Sequence, residues 1–154
     1  MKIEIRDATI NDAKILFEWA NDPNTRQNSF IPETIEWNHH ISWLKKKLID
    51  PLSKIYIFYY HNTQIATVRF DTNKITIIGI TVAPGHRGLG LGAEILKIAT
   101  KYFWINSNNE IFAYIKKDNI ASQHIFEKAG FRFLKEDMEN RIDCIILKAI
   151  KDDN

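Results

Sequence analysis

The chain has 154 residues, of which 45% are hydrophobic and 26% charged, and its formal net charge is +2. These values fit one globular domain, which at this size buries roughly 70% of its unfolded surface. So mild a charge argues against a nucleic-acid-binding protein, and no apolar run reaches the ~18 residues of a membrane span. A single cysteine excludes an internal disulfide and a cysteine-based zinc site. We therefore expect residues 1–154 to form one cytoplasmic domain, monomeric or homodimeric, with no bound metal.

Hydrophobic periodicity predicts the elements in chain order. In the first half these are a strand at 3–6, a helix at 12–20, a turn at 21–24 followed by an irregular polar segment, a helix at 35–48, and strands at 55–60 and 64–70. In the second half they are a strand at 75–82, a helix at 93–104, a strand at 111–115, a helix at 120–129, and a hairpin of strands at 131–136 and 141–147. Because a helix connects the strands at 75–82 and 111–115, we expect these two strands to run parallel.

A glycine-rich loop joins the strand at 75–82 to the helix that follows. It runs Ala83-Pro84-Gly85-His86-Arg87-Gly88-Leu89-Gly90-Leu91-Gly92. A helix N-terminus carries unpaired N–H groups and the positive end of the helix dipole, and both favour an anion. Glycines let the backbone approach a ligand closely, and Arg87 adds a fixed positive charge with several donors. The stretch therefore predicts a site for a phosphorylated cofactor.

Two phosphate-binding motifs compete for this loop. Gly88, Gly90 and Ala93 fit the G-x-G-x-x-A form of the dinucleotide fingerprint. However, residues 84–87 separate the strand from the glycines, and the acidic residue about 20 positions later, Glu110, precedes the next strand instead of ending it. A Walker loop is excluded because no Lys followed by Ser or Thr comes after the glycines.

The second motif is Arg87-x-x-Gly90-x-Gly92, which resembles the R/Q-x-x-G-x-G/A pattern of the GNAT acetyltransferase superfamily. Another stretch, Asn119-x-x-Ser122-x-x-x-Phe126 through Phe131, resembles the N-x-x-A/S-x-x-x-Y/F-x-K-x-G-F signature of that family. The predicted order β-α-α-β-β-β-α-β-α-β-β is also the family's, so the resemblance covers nearly the whole chain. It implies an α/β (α+β) fold with a mixed, mostly antiparallel sheet of about six to seven strands, four helices, and two strands that splay apart at the cofactor site.

The resemblance implies acetyl-CoA as the cosubstrate. The loop is expected to hold its pyrophosphate through Arg87, Gly88, Leu89, Gly90, Leu91 and Gly92. On the strand before the loop, the N–H of Ile80 is expected to bind the acetyl oxygen, with Thr81 beside it and Val82 paired with the pantetheine. The second signature places three further residues on the same cofactor: Asn119, Ser122 and Phe126. For the first two of these, plain helix capping is the alternative.

Two catalytic groups that many relatives use are missing. Phe126 stands where a Tyr commonly protonates the leaving thiolate, and residues 74–79 carry no carboxylate that acts as a base. His40 and Asp71 are the candidate bases, and a structural or surface role is the alternative for each. Cys144 lies in an alternating apolar run, which indicates a core thiol.

The first two predicted helices and the segment between them are expected to cover the acceptor. The pattern W-x-N-D-P-x-x-R at 19–26, followed by W-x-x-H-x-x-W at 37–43, resembles acetyltransferases that modify the 4-amino group of a nucleotide-linked deoxyamino sugar in pseudaminic and related nonulosonic acid pathways. The residue types suit such a small-molecule acceptor: we expect its site to be lined by Arg26, Asn28, His40, Trp43 and Arg69, with the two arginines paired to a diphosphate. The W-x-N-D-P stretch also occurs in relatives that acetylate protein N-termini. A peptide acceptor therefore stays open, as does a non-catalytic acyl-CoA-binding module.

Overall fold

The computed structural model describes residues 2–151. The strands are β1 Ile3–Asp7, β2 Ser53–Tyr60, β3 Thr63–Asn73, β4 Ile75–Val82, β5 Ile111–Lys116, β6 Phe131–Glu139 and β7 Ile142–Ala149. The helices are α1 Ala13–Ala20, α2 Pro23–Gln27, α3 Trp37–Ile49, α4 Leu91–Trp104 and α5 Ile120–Lys128. Short 3₁₀ turns lie at Ile10–Asp12 and Pro84–His86.

The strands form one sheet in the order β1-β2-β3-β4-β5-β7-β6. Strands β4 and β5 run parallel, because helix α4 returns the chain in the same direction, and every other neighbouring pair is antiparallel. The predicted mixed, mostly antiparallel sheet is therefore confirmed, with seven strands. The four predicted helices are also found, and α2 is an additional helix of five residues.

The sheet carries helices on both faces, because successive residues of a strand point to opposite sides. On β2, Phe58 packs with Phe70 and with residues of α4 and α5, whereas the adjacent Ile57 packs with Leu44 and with residues of α1 and α3. All four side chains are fully buried, with 0% exposed. A ligand that enters between two strands of this sheet therefore has a helical layer on either side.

Helix α2 stands where the sequence predicts a turn and an irregular polar segment, so that prediction is wrong. Asp22 caps the helix by accepting a hydrogen bond from the N–H of Thr25 at 3.2 Å. Pro23 occupies the first helical position, where the missing N–H leaves no bond unmade. Polar capping rather than apolar spacing produces this helix.

Two kinds of feature are not found in the part of the chain that the structure describes. No helix within residues 2–151 combines the length and the apolar character needed to cross a membrane. Within the same residues, no group of three or more His, Cys, Asp or Glu side chains is placed to hold a metal ion.

Candidate active site

Helix α4 begins without a capping side chain. Its N-cap residue is Gly90, in the left-handed region at φ 76° and ψ 10°, and no side-chain hydrogen bond caps the first turn. Gly88 also has φ 76°, and a Cβ added to either glycine would meet no atom within 4 Å. The loop therefore needs glycine for its backbone angles and leaves open space in front of the helix. At the positive end of a helix of 14 residues, this is a cradle suited to phosphate.

A gap opens in the sheet next to this cradle. Strand β4 pairs with β5 only at Thr76 with Ile111 and at Ile77 with Phe112. On its other edge β4 stays paired with β3 as far as Val82. Residues 78–82 of β4 thus keep one neighbour and leave the other, so their backbone groups on the β5 side have no strand partner and can bind an extended ligand, except for the Val82 carbonyl, which accepts from Nε of Arg87.

Tyr114 lies on β5 beyond the last residue that pairs with β4. The register of the last pair, Ile77 with Phe112, would set Gly79 opposite Tyr114 two residues on, where the two strands have already separated. Gly79 pairs with Arg69 on β3, so these side-chain positions share the sheet face that α1 and α3 cover. Burial, and then the nearby carboxylates of the β6–β7 hairpin, raise the pKa of Tyr114 above its ordinary value. Its hydroxyl is therefore protonated at neutral pH and able to donate.

The comparison with known families decides between the two motifs, the dinucleotide fingerprint and the GNAT pattern, that compete for the glycine-rich loop. Residues 2–132 match the model of the acetyltransferase (GNAT) domain. The chain belongs to the GNAT acetyltransferase family. It is therefore an acyltransferase that uses acetyl-CoA to acetylate an amine, and the dinucleotide interpretation of the loop is wrong.

Individual GNAT relatives match over most of their length. The chain is 26% identical to the acetyltransferase PseH of Campylobacter jejuni over 139 residues, which are 87% of this chain and 85% of that protein. The structure of AAC(6')-Ib in complex with ribostamycin and coenzyme A superposes with a TM-score of 0.86 at 15% identity, over 97% of this chain and 93% of that one. Spermidine N-acetyltransferase from Vibrio cholerae, in complex with CoA and spermine, gives 0.82 at 17% identity, over 95% and 94%. At these identities, the two structures support the GNAT fold.

The side chain of Arg87 does not point freely into the cradle. Its Nη1 lies 2.8 Å from Oδ2 of Asp22, its Nη2 donates to Oγ1 of Thr25 at 3.1 Å, and its Nε donates to the carbonyl of Val82 at 3.2 Å. Burial alone raises the pKa of Asp22, but the hydrogen bonds from Arg87 and from the Thr25 N–H outweigh it, so the pKa is lowered. The guanidinium charge is thus matched within the protein, and the loop offers a phosphate its backbone donors.

The predicted cofactor residues of α5 have structural partners. Asn119 is the N-cap residue, and its Oδ1 accepts from the N–H of Ser122 at 3.2 Å. Phe126 is 3% exposed and packs edge-on against Phe131, with 4.9 Å between ring centroids. Helix capping, the alternative for Asn119, is present, and Phe126 offers a ligand little surface.

The two candidate bases are both tied into the protein. His40 is 3% exposed, its Nε2 lies 2.9 Å from the carbonyl oxygen of Ala13, and burial lowers its pKa. Asp71 binds Lys47 at 2.9 Å and the Ser53 hydroxyl at 2.7 Å through Oδ1. Burial raises the pKa of Asp71, but these bonds and the charge of Arg69 bring it below the usual value. The geometry favours a structural role for each over a catalytic one.

The predicted acceptor residues divide into two groups. Arg26 is occupied, because it donates to the carbonyls of Ala20 at 2.6 Å and Ile31 at 2.8 Å and to the Ser29 hydroxyl at 3.0 Å. Asn28 likewise donates to the carbonyl of Asn24 at 3.1 Å. These bonds shape the segment between α2 and α3 and leave no free fork for a diphosphate.

Arg69 and Trp43 form the second group. The Arg69 guanidinium lies over the Trp43 ring, 5.0 Å from its centroid, and its Nε donates to Oδ2 of Asp71 at 2.8 Å. Among the hydrogen bonds within residues 2–151, neither Nη of Arg69 is used. The sheet register places Arg69 opposite Gly79 of β4, so this stacked pair lies beside the gap.

The sequence patterns do not single out Tyr114 or Asp22, which the structure adds as candidate site residues. Asp22-Pro23 lies in the pattern expected on the acceptor side, but Asp-Pro is also a capping signal that indicates the start of α2. Tyr114 sits in an apolar run, and nothing in its local sequence distinguishes it from a core residue.

Proposed function

We propose that this GNAT protein transfers the acetyl group of acetyl-CoA to the 4-amino group of a nucleotide-linked deoxyamino sugar. The observation that carries the transfer is the gap between β4 and β5, beside the uncapped start of α4. The choice of acceptor is supported by the W-x-N-D-P-x-x-R and W-x-x-H-x-x-W patterns at 19–26 and 37–43. The match with PseH, which is named as an acetyltransferase, covers 87% of this chain, and this supports an acetyltransferase domain that spans most of the chain.

The cosubstrate suits the loop in charge and shape. Backbone N–H groups between Gly88 and Gly92 hold the pyrophosphate, because the first turn of α4 has no capping side chain. Val82 pairs with the pantetheine as an added strand, with Thr81 beside it, and the N–H of Ile80 supports the acetyl oxygen as it gains negative charge. A thioester held in this way lies beside an amine on the α1 and α3 face of the sheet.

Tyr114 is proposed as the proton donor to the departing thiolate. Phe126 has no hydroxyl to serve in that role, and it is buried. Tyr114 shares the sheet face of Gly79 across the gap, where a Cβ on Gly79 would meet no atom within 4 Å. The open space at Gly79 can take a substrate, and the protonated hydroxyl of Tyr114 lies on the same face of the sheet to donate its proton.

Arg69 and Trp43 are proposed as the contact for the nucleotide part of the acceptor. The two free Nη groups suit a phosphate, and the stacked ring keeps the guanidinium plane in place. Arg26 and Asn28 act on this acceptor indirectly, through the segment whose backbone they hold.

A second acceptor class has one observation in its favour. Asp137 and Glu139 of β6 lie near enough to Tyr114 to raise its pKa. Carboxylates at the edge of an acceptor site attract cations, so a polyamine or another multiply charged amine is the alternative to a nucleotide-linked sugar.

The proposal is tested by CoA release. The purified protein is first titrated with CoA by calorimetry, and then supplied with acetyl-CoA and, in turn, with a nucleotide-linked 4-amino sugar, the free amino sugar, spermidine and an N-terminal peptide. Thiol release that requires the nucleotide-linked sugar supports the proposal, and preferred release with spermidine supports the second class. Preferred release with the peptide supports a protein N-terminal acetyltransferase. Binding of CoA without release by any amine identifies a non-catalytic module, and no binding of CoA overturns the proposal altogether.

Gly90→Ala is the variant that tests the cradle. A side chain at φ 76° strains the loop by about 1–2 kcal/mol and narrows the space before α4. We expect CoA affinity to fall at least about tenfold while the fold is kept. Gly85→Ala in the same loop is the control, because its added Cβ meets nothing within 4 Å and its φ is not left-handed. Equal affinity in both variants would contradict a phosphate cradle at Gly90.

A further inference from the structure

Helix α2 and its N-cap residue Asp22 are linked to both strands that border the gap, through Arg87 to β4 and directly to β5. On the β4 side, Asp22 and Thr25 bind the guanidinium of Arg87, at 2.8 and 3.1 Å. That guanidinium also binds the carbonyl of Val82, the last residue of β4, at 3.2 Å. On the β5 side, Nζ of Lys116 donates to the carbonyl oxygen of Gln27 at 2.7 Å. Lys116 is the last residue of β5, so one short helix joins the two separated strand ends.

The helix is fixed on its other sides as well. Asn21, just before it, exchanges two hydrogen bonds with the backbone of Ile35, at 2.8 and 2.9 Å. Arg26 within it ties the carbonyls of Ala20 and Ile31 together. A helix held by this many bonds transmits the position of one end to the other instead of bending between them.

The contact with Arg87 is partly withdrawn from solvent. The Asp22 side chain is 17% exposed and the Arg87 side chain 31% exposed. Charge-assisted hydrogen bonds in such surroundings are stronger than those between exposed groups. The positively charged side chain of Arg87 is thus paired with Asp22 and Thr25, although the sequence motif predicts that Arg87 faces a phosphate.

We propose that α2 is a brace that sets the width of the gap between β4 and β5, and that Asp22 and Lys116 are its positioning residues. The inference rests on the proposed function, since the gap is where the acyl thioester is held. Asp22 acts through Arg87 on the end of β4, and Lys116 acts on the end of β5. A gap of fixed width selects the acyl group by its size, so the brace is a determinant of acetyl specificity.

The test uses Asp22→Asn, Lys116→Met and the double variant in the full chain. Each single variant is expected to lower kcat/KM for acetyl-CoA by about tenfold, because misplacement by a fraction of an ångström is felt strongly in group transfer. The ratio of propionyl-CoA to acetyl-CoA turnover is expected to rise in each, because a wider gap admits a larger acyl group. The kcat/KM of the double variant is expected to be no lower than that of the more impaired single variant, since releasing either end already frees the brace.

Three controls keep the outcome interpretable. Lys117→Met removes the neighbouring exposed lysine and is expected to leave acyl selectivity unchanged. Lys116→Arg keeps a donor at the end of β5 and is expected to restore selectivity. Melting temperatures show whether each variant folds, and if Asp22→Asn does not, Lys116→Met tests the brace from the other side.

Two results overturn the brace. One is unchanged acyl selectivity in both single variants, and the other is losses that add in the double variant. Failure of the proposed function is seen separately, because in that case the wild-type protein itself binds no CoA or releases no thiol with any amine.

Discussion

Gly92 of α4 lies against Ile125 of α5 so closely that a Cβ on Gly92 would stand 3.0 Å from Cγ2 of Ile125. Gly92, the last glycine of the loop, therefore serves the packing of two helices. Gly88 and Gly90 differ from it, because they face open space and have left-handed backbone angles. Within one motif, two glycines shape the loop and one lets the helix that follows approach its neighbour.

Gly92→Ala is expected to reduce the free energy of unfolding by about 1 kcal/mol. The Ile125 side chain is β-branched and its χ1 is restricted in a helix, so it cannot turn away easily. The loss exceeds the gain in helix propensity that alanine brings. Urea denaturation measures it. In an Ile125→Ala background the same substitution should be neutral or stabilising, and equal losses in both backgrounds would rule out this contact as the cause.

Acid is expected to destabilise the fold partly through Asp12. Arg6 binds both carboxylate oxygens of Asp12, at 2.7 and 2.8 Å, and the N–H of Thr9 adds a third bond at 2.8 Å. Burial raises the pKa of Asp12, but these bonds outweigh it and lower the pKa. A carboxyl with a lowered folded pKa stabilises above its unfolded value of about 3.9 and loses that contribution as the pH falls through the folded value.

Asp12→Asn should therefore lower the free energy of unfolding by about 2 kcal/mol at pH 7 and flatten its decline below about pH 4. Chemical denaturation at a series of pH values gives both quantities. Asp118→Asn serves as the control, since Asp118 is exposed and forms no ion pair among the described residues. A variant that keeps the full acid dependence of the wild type would show that Asp12 is not its source.

Tyr114→Phe is expected to lower kcat by about a hundredfold with little change in the KM for acetyl-CoA. The substitution removes one hydroxyl and keeps the ring, so the fold should be retained. Tyr102→Phe is the matched control, because Tyr102 is 41% exposed on α4 and lies on the other face of the sheet with Tyr56. If Tyr114→Phe turns over like the wild type across the pH range, the thiolate takes its proton from another donor.

Cys144 is expected to resist thiol reagents in the native protein. It is 0% exposed, and burial raises the pKa of its thiol, so little thiolate forms at neutral pH. An aromatic disulfide reagent should react on the order of a hundredfold faster after unfolding in urea. Rapid labelling without urea would mean that β7 opens locally, which protection of the neighbouring amides would test independently.

Regular elements with a clear apolar period were predictable from the sequence. Strand β4 has the predicted bounds, because β-branched alternation ends at Pro84. Helix α5 ends one residue before its predicted last residue, since Gly130 takes a left-handed angle after it. Helix α2 was not predictable in this way, because its five residues bury nothing and are held by caps.

Side-chain partners were harder to predict than elements. Trp37, Ile41, Leu44 and Leu48 have the spacing of one buried stripe on a helix, yet Trp37 is 44% exposed, whereas His40 is 3% exposed. His40 is buried where its Nε2 meets the carbonyl of Ala13 on α1, a contact between residues 27 positions apart. Arg87 similarly finds Thr25, 62 positions away. Local sequence records which residues are able to bind an anion, whereas tertiary contacts decide which of them are already engaged.

The separation of β4 from β5 also has a consequence for how the molecule exchanges its amide hydrogens with solvent. Central strands are ordinarily the slowest to take up deuterium. Here the β5-facing amides near the end of β4 have no strand partner, although they lie in the middle of the sheet. Along this strand we therefore expect the β5-facing amides to be protected at the paired beginning and unprotected toward the end, and we expect bound acetyl-CoA to restore that protection.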